Sequence, residues 1–356
     1  MRAVTCWPRR IRTLLGAWLV FVCVVSAPPA ARGVEDPEAP DSAEDLPTLH
    51  RDLDRASDFA PAGVLLDHTH ARGDWTFLYR YERTLADELL QGEERLSSTE
   101  FEVQYPGYTS TPLSLLTQVH SFGVMYAPHR RFTLAMLLPF IQNRLEQLEA
   151  GVFERETSSG IGDARFIVLL PFIQKGTQKT QFNVALSLPT GSIRVNDREG
   201  NRLPYRMQHG SGSWDLHWGL TYTGNNERLS WGAQVESQYR VATNDLGYEL
   251  GAVYQASGWL AAEVGEWLSL SARLGWVKTE NLKGADAALN PATSPLNDPT
   301  KQAGTRVEIG PGFNVLLPVF GGQRLTFEAL FPIYQSLEGP QLAPDVRFIA
   351  GWQWIF

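Results

Sequence analysis

Ser213-Trp214-Asp215-Leu216-His217-Trp218-Gly219-Leu220-Thr221-Tyr222-Thr223 sorts its side chains by parity. Trp214, Leu216, Trp218, Leu220 and Tyr222 fall on one face, and Ser213, Asp215, His217, Gly219, Thr221 and Thr223 on the other. The next stretch repeats the pattern, with Leu229, Trp231, Ala233, Val235 and Tyr239 against Ser230, Gly232, Gln234, Glu236, Gln238 and Arg240. A period of two over ten or more residues means long strands with one apolar and one polar face.

Working outward, about twelve such segments lie near 74–82, 115–127, 131–143, 163–173, 181–189, 213–223, 229–240, 248–263, 267–278, 304–318, 323–334 and 345–356. Their connections alternate. Short turns sit at 128–130, 175–179, 224–227, 264–266 and 320–322, and longer polar stretches at 83–114, 144–162, 190–212, 279–303 and 335–344, with 241–247 a shorter member. A soluble sandwich has no reason to gather its long loops at one end. The expected fold is therefore all-β, a transmembrane antiparallel up-and-down barrel with periplasmic termini, over residues 74–356. Trp75, Trp231, Trp267, Trp276 and Tyr239 stand near strand ends, as an aromatic girdle requires. Pro139, Pro171, Pro318 and Pro332 interrupt strands and predict bulges or strand ends, because proline brings no ladder N–H.

The N-terminus reads as an export signal over residues 1–33. Arg2, Arg9, Arg10 and Arg12 precede an apolar run over 14–25 and small residues at 26–31, with cleavage near Ala31-Arg32-Gly33 preferred to Val25-Ser26-Ala27, which Pro28 follows. The apolar run falls short of the roughly 20 residues of a spanning helix. Of 31 basic and 39 acidic residues, the signal holds five Arg and no acid, so the mature chain carries a net −13. Both cysteines, Cys6 and Cys23, also go with the signal, which excludes disulfides and thiol chemistry. The acidic balance argues against nucleic acid as a partner. Residues 34–73 begin rich in Glu, Asp, Pro and Ala and read as a flexible lead-in or a plug of the lumen.

A series of motifs carries a family resemblance. They are Asp67-His68-Thr69-His70-Ala71-Arg72-Gly73-Asp74-Trp75, Phe122-Gly123-Val124-Met125-Tyr126-Ala127-Pro128, Gly160-Ile161-Gly162-Asp163-Ala164-Arg165, Leu188-Pro189-Thr190-Gly191, Leu203-Pro204-Tyr205-Arg206-Met207-Gln208-His209-Gly210-Ser211-Gly212, Pro332-Ile333-Tyr334-Gln335 and Gly351-Trp352-Gln353. In this order the chain resembles the outer-membrane barrel family labelled "MetA-pathway of phenol degradation", whose members are described as transporters. The resemblance implies location and architecture more than substrate. Many relatives carry a Met-rich run where this chain reads Leu115-Leu116-Thr117-Gln118-Val119-His120, which keeps only the histidine.

Parity places Arg80, Glu82, Arg165, Asp215, His217, Gln234, Glu236, Arg240, Glu249, Arg273, Arg306, Glu308, Glu328 and Arg347 toward a lumen. Near-balanced signs fit an internal ion-pair network or a weakly selective filter. In the loop at 203–212, Tyr205, Arg206, Gln208 and His209 are candidates to line a constriction, the alternative being an exposed connector. His68 and His70 with Asp67, joined by His120, form the metal candidate, against a reading as solvated histidines at the periplasmic entry of the barrel. The C-terminal strand, with Gly351, Trp354 and terminal Phe356, resembles the signal read by the barrel-assembly machinery.

Three functions remain open. The leading one is an outer-membrane channel for passive uptake or efflux of small hydrophobic or aromatic solutes in a Gram-negative cell envelope. The second is a closed barrel with a structural or surface-interaction role. The third is a membrane-embedded hydrolase using His217 and Asp215, against which stands the lack of a Gly-x-Ser-x-Gly motif. The expectation is no enzyme and no cofactor, with membrane lipid and an unidentified small solute as partners.

Overall fold

The computed structural model describes residues 55–317 and 322–356. The export signal, the acidic stretch to residue 54 and Pro318 lie outside the described residues. In chain order the elements are β1 (Trp75–Gly92), β2 (Glu94–Leu96), α1 (Ser98–Gln104), β3 (Ser110–His129), β4 (Phe132–Glu149), β5 (Val152–Ile161), β6 (Ala164–Lys175), β7 (Gln178–Leu188), β8 (Asp215–Asn225), β9 (Leu229–Arg240), β10 (Tyr248–Glu249), β11 (Val253–Gly265), β12 (Leu268–Thr279), β13 (Lys283–Gly284), β14 (Gly304–Leu317) and β15 (Gln323–Ile355).

The sheet runs β15-β14-β12-β11-β9-β8-β7-β6-β4-β3-β1, and pairing of β1 with β15 closes it into an antiparallel barrel. Eleven strands form this ring among the described residues, while β2 and β5 pair outside it. Strand β15, 33 residues long, does the work of two. Its first arm pairs with β14 and its second with β1, and the arms touch through Arg324 Nη1 to Gln353 Oε1 (3.1 Å) and Trp352 Nε1 to Gln323 Oε1 (2.9 Å). That accounts for the twelve segments read from the sequence.

The faces are inverted relative to a soluble barrel. Leu216, Leu220, Val235, Leu270 and Leu274 are exposed on the outside, whereas Asp215, Thr221, Gln234, Ser269 and Arg273 are buried inside. An apolar exterior around a polar lumen is the arrangement that suits lipid. No described helix is long and apolar enough to cross a membrane, so the strands are the only described candidates to do so.

Several expected loops are strand instead. Stretch 144–162 is largely a ladder of β4 with β5, turning at Ala150 and Gly151, whose φ angles of 47° and 81° are left-handed. Strand β1 runs on to Gly92 and β3 starts at Ser110, with α1 between them capped by Ser97 and Glu100 in a reciprocal box. Stretch 335–344 belongs to the β15 hairpin. These strand extensions carry Glu146, Glu149, Glu154, Arg155 and Glu156 because they rise past the apolar band, and that polarity imitates a loop. Pro171 and Pro332 behave as expected, with register shifts beside and opposite them, whereas Pro139 stands mid-strand in unbroken register with β3 and marks where the other partner of β4 changes from β6 to β5. Glu249 leaves the barrel row, pairing in β10 with Lys283 of β13.

Leu220→Arg, on the outer face at mid-strand, should cost roughly 2–4 kcal/mol of stability in lipid vesicles. Ser257→Asn, on the lumen side, should cost well under 1 kcal/mol, both variants being compared by urea titration in the vesicles. Equal costs would contradict the assignment of the two faces.

Candidate functional site

The lumen is occupied from the short-turn end by residues 55–74. Arg55 reaches Glu263 Oε2 (2.7 Å) and the Asn226 carbonyl (2.8 Å) at the rim. Further in, lumen side chains donate to the backbone carbonyls of the segment: Ser269 Oγ to Ala56 (2.9 Å), Asn314 Nδ2 to Phe59 (3.2 Å), Arg324 Nη2 to Ala60 (2.5 Å), Gln234 Nε2 to Leu65 (2.9 Å) and Gln181 Nε2 to Leu66. The Arg324 guanidinium also lies 4.4 Å from the Phe59 ring centre. An irregular segment can be buried only if its peptide groups are met in this way. Leu66 holds a left-handed φ of 59°, a conformation that persists where surrounding contacts fix it.

The charged row predicted for the lumen comes together as ion pairs. Arg80 meets Glu82 (3.1 Å), Glu82 meets Arg347 (3.3 Å), Arg347 meets Glu308 (2.8 Å) and Glu308 meets Arg306 (3.1 Å), one chain of alternating sign across β1, β15 and β14. Arg273 grips Glu328 with two bonds (2.8 and 3.1 Å), and Glu328 Oε2 accepts the Gly63 N–H (2.7 Å). A Cβ at position 63 would collide with the Arg273 guanidinium and the Glu328 carboxylate, so a larger residue would have to push this ion pair aside. Arg240 pairs with Asp215 (2.6 Å). Arg165 and Glu236 make no ion pair among the described residues, although both line the central cavity. That cavity, of about 320 Å³, lies between Gly63, Leu65 and Leu66 of the segment and the walls.

At the other end, motifs distant in sequence converge. Asp163 accepts from the Gly191 N–H (2.9 Å), the Ser211 N–H (2.8 Å) and Ser211 Oγ (2.8 Å), and Thr190 Oγ1 donates to the Gly162 carbonyl (2.8 Å). This clamp folds the loop at 189–214 inward. Tyr205, Met207, Gln208 and His209 are buried, so the exposed-connector reading is corrected. Ser158 Oγ donates to the Met207 carbonyl (2.8 Å), the Asp286 N–H to Tyr205 Oη (3.0 Å) and Arg206 Nη1 to the Leu342 carbonyl (2.9 Å). Met207 packs with Leu89, Phe101, Leu115, Leu145, Leu296 and Leu342, an apolar core inside the tall end of the barrel.

The wall between these closures is interrupted. Strand β4 pairs with β6 up to Leu137 and with β5 from Phe140, and β6 pairs with β7 only up to Ala164 opposite Leu188. Strand β5 pairs with β4 alone among the described strands. Pro139 sits at the break, its carbonyl accepting from the Gly162 N–H (2.8 Å). On the outside an apolar groove of about 590 Å³ is lined by Phe122, Leu138, Pro139, Phe140 and Ile161. Pro139 lines the inner cavity as well.

The metal candidate does not assemble. His68 and His70 are 4% exposed, in edge contact at 4.9 Å, and His68 Nδ1 is 2.6 Å from Asp67 Oδ1. The reading of them as solvated is therefore corrected. His120 instead stands on the outer face, where Tyr79 Oη meets its Nδ1 at 2.8 Å, and no group of three metal-ligating residues occurs among the described residues. His217 Nε2 pairs with Ser187 Oγ (3.0 Å) in the buried wall, and Asp215 is held by Ser213, Gln238 and Arg240. Gln181, Asn314, Arg324 and Asp163 escaped the sequence reading. Inward parity at neighbouring heights was the available signal for the first three.

No family model and no curated protein matches the chain. Among solved structures it is similar in fold to an outer membrane channel from Pseudomonas putida F1, at TM-score 0.58 and 15% identity over 82% of this chain and 99% of that one. A Pseudomonas aeruginosa FadL homologue (TM-score 0.40, 9% identity, 80% and 90% covered) and the P. putida toluene transporter TodX (0.44, 11%, 81% and 91%) are more distant.

Burial pushes the His70 imidazole down to about 3, with His68 adding to the shift and Asp67 opposing it. Thr76 and Thr133 are its polar neighbours from β1 and β4, and Lys179 lines the small cavity beside His68. Below pH ~6.5 a withdrawn, solvated His70 binds a proton that the buried ring refuses, so acid favours withdrawal of the segment. Going from about pH 7.5 to about pH 4.5 should raise bilayer conductance through a bias on the order of 2 kcal/mol, and His70→Gln should flatten the response.

Proposed function

We propose that the chain is an outer-membrane barrel that passes small hydrophobic molecules, aromatic ones included, between the outside and the membrane interior. By motif order the chain resembles the family labelled for phenol degradation. Export by the N-terminal signal and insertion by the barrel-assembly machinery through the strand ending at Phe356 complete this reading. Both termini and the short turns then face the periplasm, and residues 55–74 act as a plug.

The observation that carries the proposal is that Pro139 borders both the inner cavity and the outer apolar groove. A straight path down the barrel axis meets the plug with its buried ion pairs, which favours no apolar solute. A sideways path through the break between β5, β6 and β7 leads onto Phe122, Phe140 and Ile161, where an apolar molecule gains by leaving water. Plugging blocks ions while leaving this lateral route.

Orientation is tested by trypsin on intact cells. Cleavage is expected at Arg95 or Arg198, on the long-loop end, and not at Arg130, Arg131 or Arg228, and the opposite pattern would invert the barrel. Transport is tested in vesicles containing the refolded protein. Ile161→Lys should slow entry of ethylbenzene at least about fivefold, because a charge then lies in the apolar groove, and should leave ion conductance unchanged. A second reading, a closed barrel of structural role, is favoured by the packing at both ends of the lumen. Ethylbenzene entry no faster than in protein-free vesicles would select it.

A further inference from the structure

The central cavity holds one guanidinium that no hydrogen bond or ion pair ties down among the described residues. In the chain Arg80–Glu82–Arg347–Glu308–Arg306, three guanidiniums share two carboxylates. Arg273 and Glu328 cancel each other. The Asp163 carboxylate is turned to the Gly191 and Ser211 N–H groups and the Ser211 hydroxyl. Arg165 also faces the cavity. Among the described residues no hydrogen bond or ion pair ends on its guanidinium, and Glu236 is the one lining acid left to oppose it. A guanidinium held without a bonded partner in a largely enclosed space is poised for an anion that can accept two parallel N–H bonds.

The surroundings of Arg165 give the rest of the ligand. Its register partner on β4 is Leu137, two residues from Pro139, and Val119 of β3 adds to the same cavity wall. Leu65 and Leu66 of the N-terminal segment form the floor. An apolar surface thus adjoins the free cation, beside the break in the wall.

We propose that Arg165 anchors a binding site for a monocarboxylate bearing a small apolar group, one aromatic ring or a short alkyl chain in size. The inference rests on the lateral-passage reading above and narrows its substrate class. The carboxylate receives the Arg165 fork while the apolar part lies on Leu137, Pro139 and Val119. The lateral break then delivers the guest into this site or takes it out. A cationic guest would be repelled by the Arg165 guanidinium at this position, and a neutral one forgoes the fork.

The test is calorimetric titration of the refolded full-length barrel at neutral pH with benzoate, benzyl alcohol and benzylamine. Benzoate should bind most tightly. Arg165→Gln should weaken benzoate at least about tenfold and leave benzyl alcohol unchanged, with Arg165→Lys in between. Heat-modifiable migration checks that each variant is folded. If Arg165→Gln does not fold, Arg165→Lys carries the same comparison. Benzoate binding insensitive to both variants, or benzylamine tighter than benzoate, overturns the carboxylate site. If benzyl alcohol still binds in that case, only this inference fails, whereas wild-type protein that binds none of the three probes removes the apolar-solute reading as well.

Discussion

Everything inside this barrel follows from one constraint: polar side chains are turned inward, where most of them cannot keep water. An unpaired buried charge is expensive, and removing one partner of a buried pair costs about 3–5 kcal/mol. The chain from Arg80 to Arg306 and the two-bonded Arg273–Glu328 pair are the response. The same rule explains the segment at 55–74. Its peptide carbonyls need donors, and the lumen provides Gln181, Gln234, Ser269, Asn314 and Arg324 at matching heights. Segment and wall satisfy each other, so neither is stable in this form without its partner.

The break beside Pro139 is the second consequence of backbone accounting. A closed barrel normally leaves no ladder group free, and a proline in its middle removes a donor. Here the partner strand stops at the same height: β5 ends at Ile161, β6 begins at Ala164, and the Gly162 N–H bonds the Pro139 carbonyl. The gap is stabilised by Asp163, which ties the inward loop through Gly191 and Ser211. One short motif therefore interrupts the wall and holds the loop that closes the tall end. Arg165, two residues further, carries its charge to the edge of that opening.

Period two is a local property, so Ser213–Thr223 and Leu229–Arg240 alone determined that the chain forms long strands and which face of each is apolar. The alternation of turn lengths determined antiparallel up-and-down order, and the charged inward row from Arg80 to Arg347 was legible for the same reason. Only the tertiary structure decided what lies in the lumen. His68 and His70 read as solvated because part of what encloses them comes from distant strands, Thr133 beside His70 and Gln181 and Thr221 in the small cavity beside His68. Tyr205 and Met207 read as loop because their partners, Asp286, Ser158 and Leu342, lie about 50 to 135 residues away. The stretch at 144–162 read as loop because its outward face rises past the apolar band into water, which removes the apolar alternation that marks a strand in lipid, while Leu145 and Ser158 face the packed interior. Alternation records which way a side chain points; whether it meets water, another charge or a returning segment depends on ring closure, which brings distant strands to one height.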